Sequence, residues 1–509
     1  MGYLLGLDIG TTTIKAILYD PSSGQIVCQA SQLTPVEHPS PELSQHDPQK
    51  LWQAVCECIN EVGHNQPISA LAISSFAEAG LPLDKEGNPL FPIIAWYDQR
   101  TASQAEWWKT QLTIEELYSI SGQRLSPSFG VNKYLWIKEY FPEVMTKMQR
   151  WLSVSDYILW RLTGEFVTDY SQASRTMLFD QHQLNWSQKI LTLAGINQKQ
   201  MPHIQPGGTL AGKITRQAAD LTGLPENLPC VLGGHDHLCA ALAAGAVQPG
   251  VVIDSMGTSE STLVVLNNFL SDLTVVQHGF VCYAHVVPGL YILKAGIHAA
   301  GGAIEWLARL LSATDYKNIP IPYPKLEQEA EKGVGKCIGP LWLPHFIGSG
   351  TPEADWNSRA ALVGARLDHT RGDLLRGLLE SQAFWLKHNL DEIRLLSGQS
   401  VQQVILLGGT TRLKLLSRLK ASIINLPMVL PDLSESSATG AALLAGLGIG
   451  VFNTPQEAVA SIQIKNTIIE PNPSLVKWYE PIYEKLYRRL YPSLRDIWSE
   501  MNSFDQRKD

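Results

Sequence analysis

The stretch Leu4-Leu5-Gly6-Leu7-Asp8-Ile9-Gly10-Thr11-Thr12-Thr13-Ile14-Lys15-Ala16-Ile17-Leu18-Tyr19-Asp20 reads as an apolar strand, a tight turn rich in hydroxyls, and a second apolar strand. Such a backbone is suited to holding phosphate. Gly10 permits the turn and a close approach, Thr11, Thr12 and Thr13 offer hydroxyl and N–H donors, and Asp8 can hold the water shell of a Mg²⁺ that neutralises a nucleotide tail. The loop joins two strands, so it differs from the strand-to-helix loop that ends in Gly-Lys-Ser/Thr.

About halfway along, Val251-Val252-Ile253-Asp254-Ser255-Met256-Gly257-Thr258-Ser259-Glu260-Ser261-Thr262-Leu263-Val264-Val265 repeats the pattern. One such loop is compatible with an ordinary hairpin; two copies point to an internally duplicated chain. Two phosphate loops facing each other across a hinged cleft are what a phosphoryl-transfer enzyme needs.

With 509 residues the chain has room for two large domains. Its 40 basic and 48 acidic residues include no Lys/Arg run, which argues against nucleic acid and anionic membranes as partners. Seven scattered cysteines without a CxxC pair suggest reduced thiols and a cytoplasmic protein. Cys56 and Cys58 stand in a predicted helix with Asp47 as N-cap and Pro48 at its first position, where residues two apart point to different faces. The N-terminus carries Asp8 inside its apolar run, unlike a signal peptide, and the apolar stretch from Ala438 to Phe452 is broken by four glycines, too short for a membrane span.

Strands are expected to Tyr19, near Gln25 to Ala30 and at Ala70 to Ser75, then around 251–255, 260–266 and 291–295, with a helix from about Ala299 to Leu311. A meander followed by α and β predicts a mixed sheet in each half. The boundary is placed at the hinge Gly245 to Gly250, giving domains 1–247 and 248–509.

Three further segments carry chemistry. Leu232-Gly233-Gly234-His235-Asp236-His237-Leu238 puts a carboxylate between two imidazoles at a strand-to-helix junction. Asp236 is read as a general base for a substrate hydroxyl, against a plain N-cap or a His-x-His metal site. Glu78 ends a strand in Ile73-Ser74-Ser75-Phe76-Ala77-Glu78, and Trp96-Tyr97-Asp98-Gln99-Arg100 offers an aromatic platform with an acid and a base, suited to a polyol or sugar. The alternative there is a core Trp96 and a surface Asp98–Arg100 pair. Finally, Gly408 and Gly409 follow a strand, and Ser434 to Ala442 is a small-residue helix start; glycines in both are expected to let an adenine slide between backbone segments.

Taken in order, these residues resemble the FGGY carbohydrate kinases, the group containing glycerol kinase, xylulokinase and gluconokinase. Gln45-His46-Asp47-Pro48, Asp156-Tyr157-Ile158, Asp169 to Asp180, Gly302 to Trp306 and Leu343-Pro344-His345 extend the match nearly end to end. The resemblance implies an α/β fold of two actin-like, ribonuclease-H-like domains with mixed sheets, binding ATP in the cleft between them. It implies Asp236 as general base, Asp8 as Mg²⁺ ligand, and Gly10, Thr11, Thr12, Thr13, Lys15, Gly257, Thr258, Gly302, Gly408 and Gly409 as nucleotide contacts. Glu78, Trp96, Asp98 and His237 fall at its substrate pocket. The chain departs from the family pattern at Phe76-Ala77, at His237, at Gly130 and Tyr140 around Lys133-Tyr134-Leu135-Trp136, and at Leu413. The reading is an ATP- and Mg²⁺-dependent kinase of a small sugar, ketose or polyol, xylulose-like by preference, with room for a homodimer; the alternatives are a sugar-independent ATPase or phosphohydrolase, or a non-catalytic sensor.

Overall fold

The computed structural model describes residues 2–312 and 320–505. In the first half, β1 (Tyr3–Ile9), β2 (Thr13–Asp20) and β3 (Gln25–Leu33) form the expected antiparallel meander. Helix α1 (Pro48–Gly63) follows, capped by the Asp47 side chain, which accepts from Gln49 N and Lys50 N. Pro48 stands in the first turn, where its missing N–H leaves no helix bond unmade. Leu51, Val55, Ile59 and Val62, at helical spacing, bury one face of α1 against the sheet. β4 (Ile68–Ser75) lies parallel to β1, and β5 (Leu210–Lys213) pairs antiparallel with β6 (Pro229–His235), itself parallel to β4. The six-stranded order is β5-β6-β4-β1-β2-β3, and β6 runs directly into α2 (Asp236–Ala243).

The second half holds β7 (Val251–Met256), β8 (Glu260–Leu266), β9 (Val281–Ala284), β10 (Tyr291–Ile297), α3 (Gly301–Leu311) and α4 (Arg371–Ser397). Then come β11 (Gln403–Leu407), α5 (Lys414–Ile424), β12 (Met428–Pro431), α6 (Ser436–Gly448) and β13 (Asn466–Ile469). Its seven-stranded order is β9-β10-β8-β7-β11-β12-β13. The runs β3-β2-β1-β4-β6 and β10-β8-β7-β11-β12 carry the same succession of two antiparallel and two parallel pairings, so the duplicated loops sit on duplicated sheets. β3 runs on to Leu33, beyond the expected Ala30, because Thr34 ties its end to the first loop: Thr34 N donates to Thr12 O at 3.0 Å and Thr34 Oγ1 to Gly10 O at 2.6 Å. The edge strand β9 was not anticipated, and α3 starts at Gly301 rather than near Ala299.

Helices α2 and α6 lie between the sheets, in a core that joins Leu4, Ile17 and Ala72 of the first sheet to Ile253, Leu263 and Ile405 of the second. Their approach is close. A Cβ on Gly6 of β1 would stand 1.9 Å from Ala438 O, and one on Gly440 of α6 would stand 1.9 Å from Cys239 O. Gly440 therefore serves backbone packing and not, as the sequence suggested, the passage of an adenine. Ala438 to Phe452 is accordingly a buried helix and its turn, and no helix among the described residues is long and apolar enough to cross a membrane. Between β4 and β5, residues 76–209 build a further core around Ile94, Trp108, Tyr134, Trp151 and Phe179, placed against the open end of the first sheet.

Gly440→Ala is expected to lower stability by about 1–3 kcal/mol through overpacking. Gly409→Ala, at a position with nothing within 4 Å of the added carbon, is expected to leave the urea midpoint in place. Denaturant titration of the two variants checks the contrast.

Candidate active site

Asp8 stands at the end of β1, where Ser74 Oγ of the parallel β4 donates to its Oδ1 at 3.0 Å. The loop after it closes with Gly10 N donating to Thr13 O at 3.0 Å, as the second closes with Gly257 N donating to Ser259 O at 2.9 Å. Thr12, Gly257 and Thr258 are exposed. Around the second loop the predicted nucleotide residues converge. Ala300 N and Gly302 N donate to Thr258 O at 2.9 and 3.0 Å, seating the start of α3 on the loop. Gly408 has φ +93, and a Cβ there would meet Met256 O at 2.4 Å, so only glycine fits. Gly257 and Gly409 are open: their added carbons meet Ser259 O at 4.0 Å and nothing within 4 Å, respectively. That open backbone between two hydroxyl-bearing loops fits a nucleotide phosphate tail. Lys15 is held by Glu435 Oε2 at 2.7 Å, a pair reaching from β2 to the residue before α6. Leu413 is half-buried against the second core.

Asp236 occupies the first turn of α2, but the N-cap is His235, which makes no side-chain cap bond, so the capping alternative is not realised. A short chain of bonds sets the junction. Ser171 N donates to Asp169 Oδ2 at 2.6 Å, Ser171 Oγ donates to the same oxygen, and His235 N donates to Ser171 Oγ at 2.9 Å. Gly234 makes room, since a Cβ there would stand 2.6 Å from Ser171 Oγ. His235 Nε2 lies 3.2 Å from Asp236 Oδ1, and the rings of His235 and His237 stack with centroids 5.2 Å apart. Burial, followed by the nearby cations, keeps both histidines neutral, with His237 pushed down to about 4. His237 faces the open cleft yet is ringed by protein. Among the described residues no set of three His, Cys, Asp or Glu side chains is grouped as a metal site would be.

The two aspartates share one electrostatic setting. Burial raises Asp8 to about 7, with the Asp236 carboxylate adding to it. Burial likewise raises Asp236 to about 7, with the Glu78 carboxylate adding, while Lys294 and Arg175 pull it down. Asp8 thus offers carboxylate oxygens in a place short of positive charge. That donor set fits Mg²⁺, which takes one or two carboxylates together with water and substrate phosphates.

On the far side of Asp236, Glu78 adopts φ +65, a left-handed backbone that costs an L-residue roughly 1–2 kcal/mol. Its Oε1 accepts from Arg175 Nε at 2.7 Å and from Nη2, and Arg175 Nη1 donates to Gln123 Oε1 at 2.9 Å. The guanidinium lies over the rings of Phe129 and Tyr283, 5.1 and 5.2 Å from their centroids. Trp96 is 39% exposed and donates from Nε1 to Thr11 Oγ1 at 3.1 Å, so it is a cleft residue and not core. Asp98 and Arg100 reverse the surface-pair alternative: Asp98 is buried and accepts from Ser44 N at 2.7 Å and from Arg100 N, Nε and Nη2 at 2.9, 2.9 and 2.7 Å. Its acceptor positions are filled within the protein, and through them it holds the Trp96 loop.

Sequence reasoning missed Arg175, Gln123, Tyr283 and Lys294. Lys294 had a signal: it is the one charge in the apolar strand Tyr291-Ile292-Leu293-Lys294-Ala295-Gly296-Ile297. Arg175 had none, because only the fold brings it to Glu78.

Two family models match the chain: the N-terminal domain of the FGGY family of carbohydrate kinases over residues 3–243, and the C-terminal domain of the same family over residues 253–449. Among curated relatives, an L-fuculokinase of Escherichia coli (strain K12) is 29% identical, covering 92% of this chain and 97% of its own length. A glycerol kinase of Trichodesmium erythraeum is 30% identical, covering 94% and 95%. Among solved structures, a xylulose kinase from Rhodospirillum rubrum aligns with a TM-score of 0.89 at 27% identity, covering 98% of this chain and 100% of that one.

The raised carboxylate carries a stability consequence. Asp236 titrates near an ordinary 3.8 when unfolded and at about 7 when folded. The native state therefore keeps a proton that the unfolded state loses, and the resulting stabilisation, full below about pH 4, is lost as pH rises through 7. Asp236→Asn does not titrate. In metal-free buffer its melting temperature is expected to stand closest to the parent's near pH 3–4 and to exceed it increasingly from there to pH 8, where the stability difference is on the order of a few kcal/mol.

Proposed function

The chain belongs to the FGGY family of carbohydrate kinases, and from that premise we propose that Asp236 is the general base that takes the proton of a small sugar or polyol hydroxyl as that oxygen attacks the γ-phosphorus of ATP. The enzyme is an ATP-dependent carbohydrate kinase with an alcohol group as acceptor. We divide it at 247/248, so that the acceptor side comes from the first domain and the nucleotide contacts come from both.

One observation supports this reading most: the Asp236 carboxylate interacts with Asp8 on the phosphate-loop side and with the Glu78–Arg175 pair on the other. A base in that place reaches an acceptor hydroxyl presented by Glu78 and Trp96 and aimed at the loops. Gly10, Thr11, Thr12 and Thr13 hold the transferring charge from one side and Gly257 and Thr258 from the other, while Gly302, Gly408 and Gly409 shape the space for the remainder of the nucleotide. Lys15 adds its ammonium on the phosphate side. Mg²⁺, held through Asp8 and its water, supplies the neutralisation of phosphate charge that makes the γ-phosphorus attackable. His237 and Trp96 border the acceptor, and Asp98 keeps the Trp96 loop in register. Asp236 near 7 is half-ionised at neutral pH, a base strength matched to a proton that must be accepted and then released.

ADP release from purified protein, with Mg-ATP and a panel of ketoses, aldoses, polyols and aldonates, tests the reading. Strong stimulation by an acceptor is expected, and Asp236→Asn is expected to lower kcat by about 10²–10⁴-fold. Nucleotide binding in that variant should be largely retained. ADP release that ignores every acceptor would reject the assignment in favour of an ATPase.

A further inference from the structure

Lys294 of β10 lies within electrostatic reach of Arg175, Glu78, Asp236, His235 and His237, each of which it influences or is influenced by. Its strand neighbours place it well. Val281 of β9 stands opposite Lys294, and Ile292 stands opposite Tyr283, so Lys294 and Tyr283 share one face as a diagonal cross-strand pair. That face looks toward the first domain, where Arg175 lies over the Tyr283 ring.

The cations here are unequally provided for. Arg175 has direct partners in Glu78 and Gln123. Lys294 has no hydrogen bond or ion pair to its ammonium among the described residues, and its strongest charged neighbour is the like-charged Arg175, which together with burial pushes it down to about 8. The hydroxyl of Tyr283 and Nδ1 of His235 are also buried without a partner among the described residues. Of the two cations only Arg175 has a bonded carboxylate, and the ammonium of Lys294 stands beside orphaned polar atoms, a place with hydrogen-bonding capacity left for an anion. The phosphate tail has its own loops at Thr11 and Thr258, and Lys294 lies on the acceptor side of Asp236.

We propose that Lys294 is a specificity-determining residue that binds a carboxylate carried by the acceptor, so that the preferred substrate is a small sugar acid, an aldonate, and not the neutral ketose or polyol. The inference rests on the kinase reading above. A carboxylate between Lys294 and Arg175 anchors one end of the acceptor by charge-assisted hydrogen bonds and presents a hydroxyl further along the chain to Asp236.

The test measures kcat/KM of the full-length enzyme with Mg-ATP for matched pairs of acceptors, four- to six-carbon aldonates against the alditols and ketoses of the same length, and needs no variant for its first answer. The wild type is expected to prefer an aldonate to its alditol by about 10- to 100-fold or more, the worth of a charge-assisted contact. Lys294→Gln is expected to collapse that ratio, chiefly through KM for the aldonate, and Lys294→Arg to restore part of it; melting curves verify that each variant folds. Turnover of neutral sugars with aldonates ignored would overturn the proposal while leaving the kinase reading intact. An equal loss of kcat for all acceptors in Lys294→Gln would overturn it too, assigning the ammonium to the transferring phosphoryl group. Absence of acceptor-dependent ADP release throughout would remove the kinase reading and this proposal with it.

Discussion

The approach of α6 to β1 and α2 is the contact on which the rest of the molecule depends. Gly6 against the Ala438 carbonyl and Gly440 against the Cys239 carbonyl leave no room for a single methyl, so the two sheets are brought together through helices that nearly touch backbone to backbone. The small residues of α6, among them Ala438, Ala441, Ala442 and Ala445, are wholly buried there. Close packing of this kind has few alternative arrangements. It decides where the ends of β1 and β7 point, and therefore where the two phosphate loops stand relative to Asp236 at the head of α2.

The same contact explains why the site is built at helix and strand ends and not on long loops. Asp8 lies near the end of a strand of the first sheet, Asp236 and Glu78 each follow one, and the Asp169–Ser171–His235 chain fixes the junction from which Asp236 extends. Burial then raises both aspartates, so the protein holds, at some cost in stability, carboxylates that are poised near neutrality. The left-handed Glu78 is a second such cost at the same place, kept because Arg175 bonds it twice. Conformational and electrostatic strain thus gather where chemistry is proposed, while the layers beneath are plainly apolar.

Much of this architecture was legible in the chain. The apolar runs on either side of the Gly10 and Gly257 turns identified the duplicated strand pairs, and Asp47-Pro48 identified the start of α1, because those signals are local. The reach of β3 to Leu33 and the presence of β9 were not legible: β3 is held at its end by Thr34 bonding the first loop, a contact invisible in a run of polar residues. Asp98 and Trp96 inverted the burial that the alternative reading gave them for a similar reason, since a carboxylate accepting from Ser44 and Arg100 is satisfied only in the fold. Gly440 was misread because a glycine beside a ligand and a glycine beside another helix look alike in sequence. Arg175 and Lys294 come from segments remote from Glu78 along the chain and meet it only through tertiary structure.

The five-strand succession around each loop is duplicated in topology but not in electrostatics. In the first half the carboxylate before the loop, Asp8, is half-buried, accepts from Ser74 and, among the described residues, has no bonded cation. In the second half the corresponding Asp254 is buried and bonded to Lys420 Nζ at 2.5 Å, and the same ammonium reaches Glu260 Oε1 at 2.9 Å. Burial and the charge of Asp254 hold Glu260 well above the usual carboxylate range. A neutralised Asp254 has nothing left to offer a cation, whereas Asp8 does. The second loop therefore presents its backbone and hydroxyls, whereas the first presents a carboxylate as well. Lys420, reaching Asp254 from α5, is the residue that makes two copies of one loop into two different tools.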